Sequence, residues 1–165
     1  MRQVFRVLAY VVAAGVVVQA AVIVYAVAGM GLYIDDGGVL DQAAMEQVFA
    51  GERVFPEQDG MLLHGMNGTM VIPVLALLTF IASFFAGVRG AWRWGLAILL
   101  LVALQATLGL AGHSVPFLGG LHGVNALLRF GVSLYTGWRV AARGRAVRGA
   151  PAAAAPGLAA DGVTP

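Results

Sequence analysis

Two histidines of the chain belong to a repeated motif, and histidine is the side chain best suited to ligate a metal near neutral pH. The motif reads Leu63-His64-Gly65-Met66-Asn67-Gly68 in one copy and Leu121-His122-Gly123-Val124-Asn125-Ala126 in the other. Each copy lies just inside the start of a long apolar segment, so a membrane protein would hold both imidazoles at one depth. Two facing imidazoles are what axial ligation of one haem iron requires.

A purely structural interpretation of the motif stays open. His64 and His122 could instead hydrogen-bond between helices, with Asn67 and Asn125 doing the same one turn on, since such bonds hold membrane helices together. The flanking glycines could leave room for a flat macrocycle or simply allow close helix packing. His113 lies at a loop edge without a partner motif, where we expect an interfacial side chain.

Arg129 is a second candidate, because it lies in the middle of an apolar segment that contains no acid. It follows His122 by seven residues and therefore shares its helix face about two turns deeper. It could contact an anionic group such as a haem propionate, or a quinone oxygen. It could also hydrogen-bond carbonyls or Gln105, or extend its head group to the inner interface.

The composition places these residues in a membrane. The chain has 165 residues, of which 60% are hydrophobic and 11% charged, so an integral membrane protein is the default class. Helices satisfy their own backbone polar groups and suit such apolar runs. Cysteine is absent, which excludes disulfides and thiolate sites. The arginines are not gathered with aromatic residues on a soluble face, which argues against nucleic acid as a partner.

The hydropathy pattern predicts an all-α, four-helix transmembrane domain over residues 1–148. The first apolar run is long enough to cross about 30 Å of hydrocarbon, and Pro73 predicts a kink in the second helix. A signal peptide cleaved after Ala26-Val27-Ala28 is an alternative for the first run, which is longer than the usual apolar region of such peptides. The helices are predicted at about 7–32, 61–88, 94–111 and 118–140, with a disordered tail at 149–165.

The segment 33–60 is polar and acidic, with seven acids and one base, Arg53. Residues 39–50 have helical character and could form a short interfacial helix. The acids could collect a divalent cation, although they lack the spacing of a calcium loop. A solvated outer loop is the preferred interpretation.

Charge predicts the orientation. In a four-span arrangement, eight arginines fall on one side and Arg53 on the other, so the positive-inside rule makes both termini cytoplasmic in a plasma membrane. Helices 2 and 4 then run in the same direction, and Gln19 and Gln105 occupy the helix that precedes each of them. The domain is therefore expected to be a bundle of two helix pairs related by a pseudo-two-fold axis along the membrane normal.

The stretch Gln105-Ala106-Thr107-Leu108-Gly109, followed by Leu121-His122 and Asn125-Ala126, resembles the signature of one four-helix half of haem A synthase. The chain is also similar to small four-helix bacterial membrane proteins that carry a domain of unknown function, through Gln19, Ala28-Gly29-Met30-Gly31-Leu32-Tyr33 and the two histidine helices. The resemblance covers most of residues 7–140. It implies that His64 and His122 occupy haem-ligand positions.

The chain departs from the synthase pattern at three points. Met61 and Gly65 stand where the synthase has a glutamate and an arginine, and the cysteine pair of its first outer loop is missing. Without that carboxylate no base or nucleophile is positioned for oxidative chemistry, so synthase activity is not expected. The sequence instead indicates a membrane protein that binds one b-type haem near the outer face, for electron transfer or haem handling.

The sequence also fits two other function classes. One is a non-catalytic accessory or structural subunit of an unidentified membrane protein partner, in which the motif only connects helices. The other is a transporter of protons or small solutes that uses Arg129 and the two histidines, although an intramembrane carboxylate is missing.

Overall fold

The computed structural model describes the backbone of residues 1–149 and the side chains of residues 1–142, and this part of the chain is helical without strands. The predicted tail lies outside it, apart from Gly149. Where helices were predicted at about 7–32, 61–88, 94–111 and 118–140, the structure extends the first, third and fourth at both ends and shifts the second toward the N-terminus. The elements are α1 (Arg2–Asp35), α2 (Gln42–Ala50), a 3-10 turn (Pro56–Gln58), α3 (Asp59–Met66), a π turn (Asn67–Val71), α4 (Ile72–Phe84), α5 (Ala91–Gly112) and α6 (Pro116–Gly149).

Within the described residues, three helical stretches are long and apolar enough to cross a membrane: Arg2–Asp35, Pro56–Phe84 and Ala91–Gly112. They confirm the prediction of a membrane protein with transmembrane helices. The surface agrees, because large apolar side chains such as Leu127 and Phe84 are exposed while Gln19, Gln105 and Thr79 are buried. Such a distribution suits lipid rather than water.

The long helices contact one another in a definite order. α1 packs against α3 and α4 on one side and against α6 on the other, while α5 also packs between α4 and α6. At the end where the chain begins, Phe5 is buried with Ala82, Ala86, Ala91 and Val140. Further along, a second cluster joins α1, α4 and α5 through Ala9, Val12, Ile72, Ala76, Ile98 and Val102.

The helical stretch that carries His64 is interrupted by the π turn, which ends two residues before Pro73. Proline lacks an N–H and its ring clashes with the carbonyl four residues earlier, here that of Thr69 inside the turn. Widening the helix by one residue relieves this conflict. The disturbance predicted from Pro73 therefore falls on a turn that begins inside the first histidine motif, at Asn67.

The acidic segment is more structured than a solvated loop. The carboxylate of Asp41 caps α2 by accepting a hydrogen bond from the Ala44 N–H at 2.8 Å. Gln58 then stabilises the turn that follows α2. Its Oε1 accepts hydrogen bonds from the N–H groups of Val54 and Phe55, and its Nε2 donates one to the carbonyl of Glu52. Local hydrogen bonds thus order most of this segment.

Candidate functional site

The two motif histidines meet in the structure, although they come from helices that are far apart in sequence. His64 lies on α3 and His122 on α6, and their ring centroids are 6.1 Å apart with 52° between the ring planes. Both side chains are half-buried. The structure therefore brings together the two imidazoles of the sequence repeat.

Each histidine is held by a glutamine of another long helix, which is α1 for His64 and α5 for His122. The Nδ1 of His64 lies 3.1 Å from the backbone carbonyl of Gln19, and the Nε2 of Gln19 donates back to the carbonyl of His64 at 3.0 Å. His122 and Gln105 repeat the arrangement, with both distances at 3.0 Å. Each pair therefore connects two helices through two reciprocal hydrogen bonds.

These bonds determine which nitrogen of each ring can act. A backbone carbonyl can only accept, so the Nδ1 of each neutral ring must carry the proton. The Nε2 atoms of His64 and His122 are then unprotonated and keep their lone pairs. Histidines that ligate metals usually donate the other ring N–H to a carbonyl or carboxylate in this way, which fixes the ring and raises its basicity.

Two glycines allow the close approach that these bonds need. A Cβ added to Gly109 would lie 3.0 Å from the Cε1 and Nδ1 of His122, and one added to Gly68 would lie 2.7 Å from the Nε2 of Gln19. By contrast, Gly65, Gly119, Gly120 and Gly123 face open space. The close-approach role of Gly109 was missed from the sequence, although it stands four residues after Gln105 and so on the same helix face.

The two asparagines of the motif are not equivalent. Asn125 is buried and its Nδ2 donates to the carbonyl of Leu101 at 2.9 Å and to the Oε1 of Gln105 at 2.5 Å. Asn67 is the first residue of the π turn and is only half-buried. The Oε1 of Gln19, which would be its counterpart acceptor, is buried and has no partner within the described residues. The π turn explains the difference, since it changes the helical register at Asn67.

Arg129 is buried in the interior, with 3% of its surface exposed. Its Nε has no hydrogen-bond partner in the described part of the chain, and neither does the Oγ of Ser133 one turn further along α6. Extension of the head group to the interface does not agree with this burial. Gln105, another partner considered for Arg129, already offers its Oε1 to Asn125.

His113 does not join the pair. It is exposed in the connection between α5 and α6. There its ring centroid lies 6.4 Å from that of Phe49 on α2, and the two rings are nearly perpendicular. Among the described residues, no group of three or more His, Cys, Asp and Glu side chains could hold a metal ion. A haem needs only two axial ligands from the protein, because its porphyrin supplies the other four.

Comparisons with family models, with curated proteins and with solved structures gave no match for this chain.

Proposed function

We propose that the protein binds one b-type haem between His64 and His122 and uses it for electron transfer or haem handling. One observation carries the proposal: the Nδ1 of both rings lies within hydrogen-bond distance of a backbone carbonyl, which in the neutral ring leaves Nε2 without a proton. Two neutral rings of this tautomer cannot hydrogen-bond to each other through Nε2, because neither has a proton there. A metal centre between them would use both lone pairs.

The spacing of the rings supports the same conclusion. With metal–imidazole bonds of about 2 Å on each side of one iron, the two ring centroids lie roughly 6 Å apart. The observed separation is 6.1 Å. A bound haem would supply one-electron chemistry, and the two carbonyls of Gln19 and Gln105 would hold the ligand rings in orientation.

Arg129 fits this function as an interior positive charge. It is buried, and within the described residues no acidic side chain pairs with it. The carboxylates of a haem are anions that such a guanidinium would neutralise. We therefore assign Arg129 the role of counter-charge, with Asn125 ordering Gln105 behind its histidine.

The proposal includes α6 as a fourth span in a four-helix bundle. This helix is less apolar than the others because its buried face carries Asn125, Arg129, Ser133 and Thr136, while Leu127, Leu128 and Trp138 are exposed. Helices with a polar inner face and an apolar outer face suit the interior of a membrane bundle. The matching pairs His64–Gln19 and His122–Gln105 support two helix pairs around a pseudo-two-fold axis.

The resemblance to one four-helix half of haem A synthase is part of this proposal, with His64 and His122 in the ligand positions. Oxidative catalysis is not part of it, because Met61 and Gly65 replace the charged residues of the synthase pattern. His64 and His122 would hold the haem, which would supply one-electron chemistry, so electron transfer or haem handling is the function proposed for the site.

The second candidate is an accessory membrane subunit in which the histidines only connect helices. The specific observation in its favour is that the Nδ1 bonds already join α3 to α1 and α6 to α5 without any ligand. The two candidates differ at Nε2, which the accessory function does not use.

The decisive experiment compares two substitutions at each histidine in protein purified after expression with ample haem. Asparagine can keep the N–H that donates to the glutamine carbonyl but offers no Nε2 ligand, whereas alanine removes both. Haem binding predicts that wild type shows a Soret band and that His64→Asn and His122→Asn each reduce it as strongly as the alanine variants. His113→Ala is the matched control and should leave the band unchanged.

Other results would exclude the haem site. A Soret band that persists in both asparagine and both alanine variants would show that the haem lies elsewhere. Wild type without haem, together with asparagine variants as stable as wild type and alanine variants that unfold at lower temperature, would favour the accessory function.

A further inference from the structure

A second site lies at the opposite end of the molecule from the histidines. The hairpin between α4 and α5 and the far part of α6 form an open cavity of about 780 Å³. Three arginines line it, Arg89, Arg93 and Arg139, together with Trp92 and Trp94. Within the described residues, neither Arg93 nor Arg139 is paired with a carboxylate.

Aromatic rings hold two of these arginines in place. The guanidinium carbon of Arg93 lies 5.6 Å from the ring of Trp92, and that of Arg139 lies 5.6 Å from the ring of Trp94. Arg139 also donates to the hydroxyl of Tyr135 at 3.3 Å. Cation–π contacts leave guanidinium N–H groups available at the ring edge, where they can bind phosphate oxygens.

An apolar groove of about 380 Å³ adjoins this cavity and shares Trp94 with it. It lies between α5 and α6 and is lined by Leu127, Leu128, Gly131, Val132 and Tyr135. Gly131 widens it, because a Cβ at this position would meet nothing within 4 Å. A cationic cavity and an apolar groove therefore share the lining residue Trp94 on the outer surface of helices that suit a membrane.

We propose that this composite surface binds one anionic diacyl phospholipid from the leaflet at the arginine end. The phosphate and head group would occupy the arginine cavity, and an acyl chain would lie in the groove beside Gly131. Charge complementarity and the position of both spaces beside Trp94 identify the occupant as a lipid. Basic pockets between membrane helices are known to recognise such head groups. The proposal is independent of haem.

The test is a lipid titration of delipidated full-length protein, followed by native mass spectrometry. Dioleoyl phosphatidylglycerol should bind in a one-to-one complex, while dioleoyl phosphatidylcholine should bind at least about tenfold more weakly. Dihexanoyl phosphatidylglycerol, which has the head group but short chains, should also bind more weakly. Equal binding of the choline lipid would overturn the proposal. Inorganic phosphate that displaces the lipid completely would reduce the site to an anion site and overturn it as well.

Variants test each half of the site separately. The double change Arg93→Gln and Arg139→Gln should weaken phosphatidylglycerol binding by about tenfold or more, whereas Arg53→Gln removes one charge at the other end and should have no effect. Gly131→Leu fills the groove and should weaken long-chain binding without affecting the short-chain lipid. Gly120→Leu, on the same helix and also in open space, is its control. Equal effects of these two leucine substitutions would exclude the groove, even if the double arginine variant failed to fold.

Discussion

At the scale of single residues, the structure assigns different tasks to the two nitrogens of each motif histidine. Nδ1 of His64 and of His122 is committed to a backbone carbonyl, which is a permanent acceptor. A backbone partner cannot be removed by a side-chain change at Gln19 or Gln105. The tautomer of both rings is therefore set by the positions of the helices rather than by any one side chain.

Arg129 gives opposite predictions for the free and the haem-loaded protein. Within the described residues its Nε is buried without a partner, and replacing an uncompensated buried charge by an apolar side chain stabilises a fold. Arg129→Met should therefore raise the free energy of unfolding of haem-free protein by on the order of 1 kcal/mol. The measurement is a higher unfolding temperature, followed by tryptophan fluorescence in detergent. In haem-loaded protein the same change should lower the ratio of haem to protein, and Arg129→Lys should restore part of it. An unchanged ratio in both variants would contradict the counter-charge role.

Gly109 is predicted to be sensitive to the smallest side chain. Gly109→Ala would place a methyl group 3.0 Å from two ring atoms of His122, so the ring must move and its bond to Gln105 must weaken. We expect a loss of about 1–3 kcal/mol, measured as a lower unfolding temperature. Gly123→Ala enters open space on α6 and should be neutral or slightly stabilising, since alanine is the better helix former. Equal loss in both variants would indicate a general intolerance of alanine.

At the scale of elements, the sequence predicted the apolar helices well and their internal irregularity poorly. Long apolar runs and the arginines between them locate the spans, because a fixed hydrocarbon thickness demands them. Pro73 predicted an irregularity in the second helix. It did not predict that this irregularity is a π turn that begins at Asn67. Whether a helix absorbs a proline by bending or by widening depends on its neighbours, and the repeated asparagine therefore gave a false impression of equivalence.

Pro73 therefore provides a test at the element scale. Pro73→Ala returns an N–H to the helix and removes the clash with the carbonyl of Thr69, so the π turn should revert to regular α-helix. Because that changes the register between α3 and α4, we expect a lower haem content. Pro116→Ala, at the first position of α6 where the missing N–H is not needed, should keep the wild-type content. Equal haem contents would mean that the π turn does not position His64.

At the scale of the whole molecule, charge separates the two ends. The side chain of Arg2 donates to the carbonyl of Gly87, so the N-terminus lies beside the α4–α5 hairpin and its arginines. The acidic segment with α2 lies at the other end, where Phe49 meets His113. The sequence could anticipate this asymmetry by counting charges. It could not predict the cavity at the arginine end, which exists only once α5 and α6 pack together.

Orientation can be tested cleanly because the chain has no cysteine. Single cysteines are introduced by Ser114→Cys at the connection of α5 and α6 and by Gln3→Cys near the N-terminus, both exposed positions. The positive-inside rule predicts that a membrane-impermeant maleimide labels the first in intact cells and the second only after lysis. The reverse pattern would invert the topology and place the histidines near the cytoplasm.

The two histidine–glutamine pairs also differ in how much chain each must close. His122 and Gln105 are 17 residues apart on adjacent helices, whereas 45 residues, including the acidic segment, separate His64 from Gln19. Contacts between residues that are closer in sequence form first, because closing the shorter loop costs less chain entropy. In refolding of the complete chain we therefore expect the α5–α6 hairpin to assemble before α1 and α3 pair. Time-resolved cross-linking during refolding in detergent would reveal that order, in which the helix pair with the shorter connection forms first.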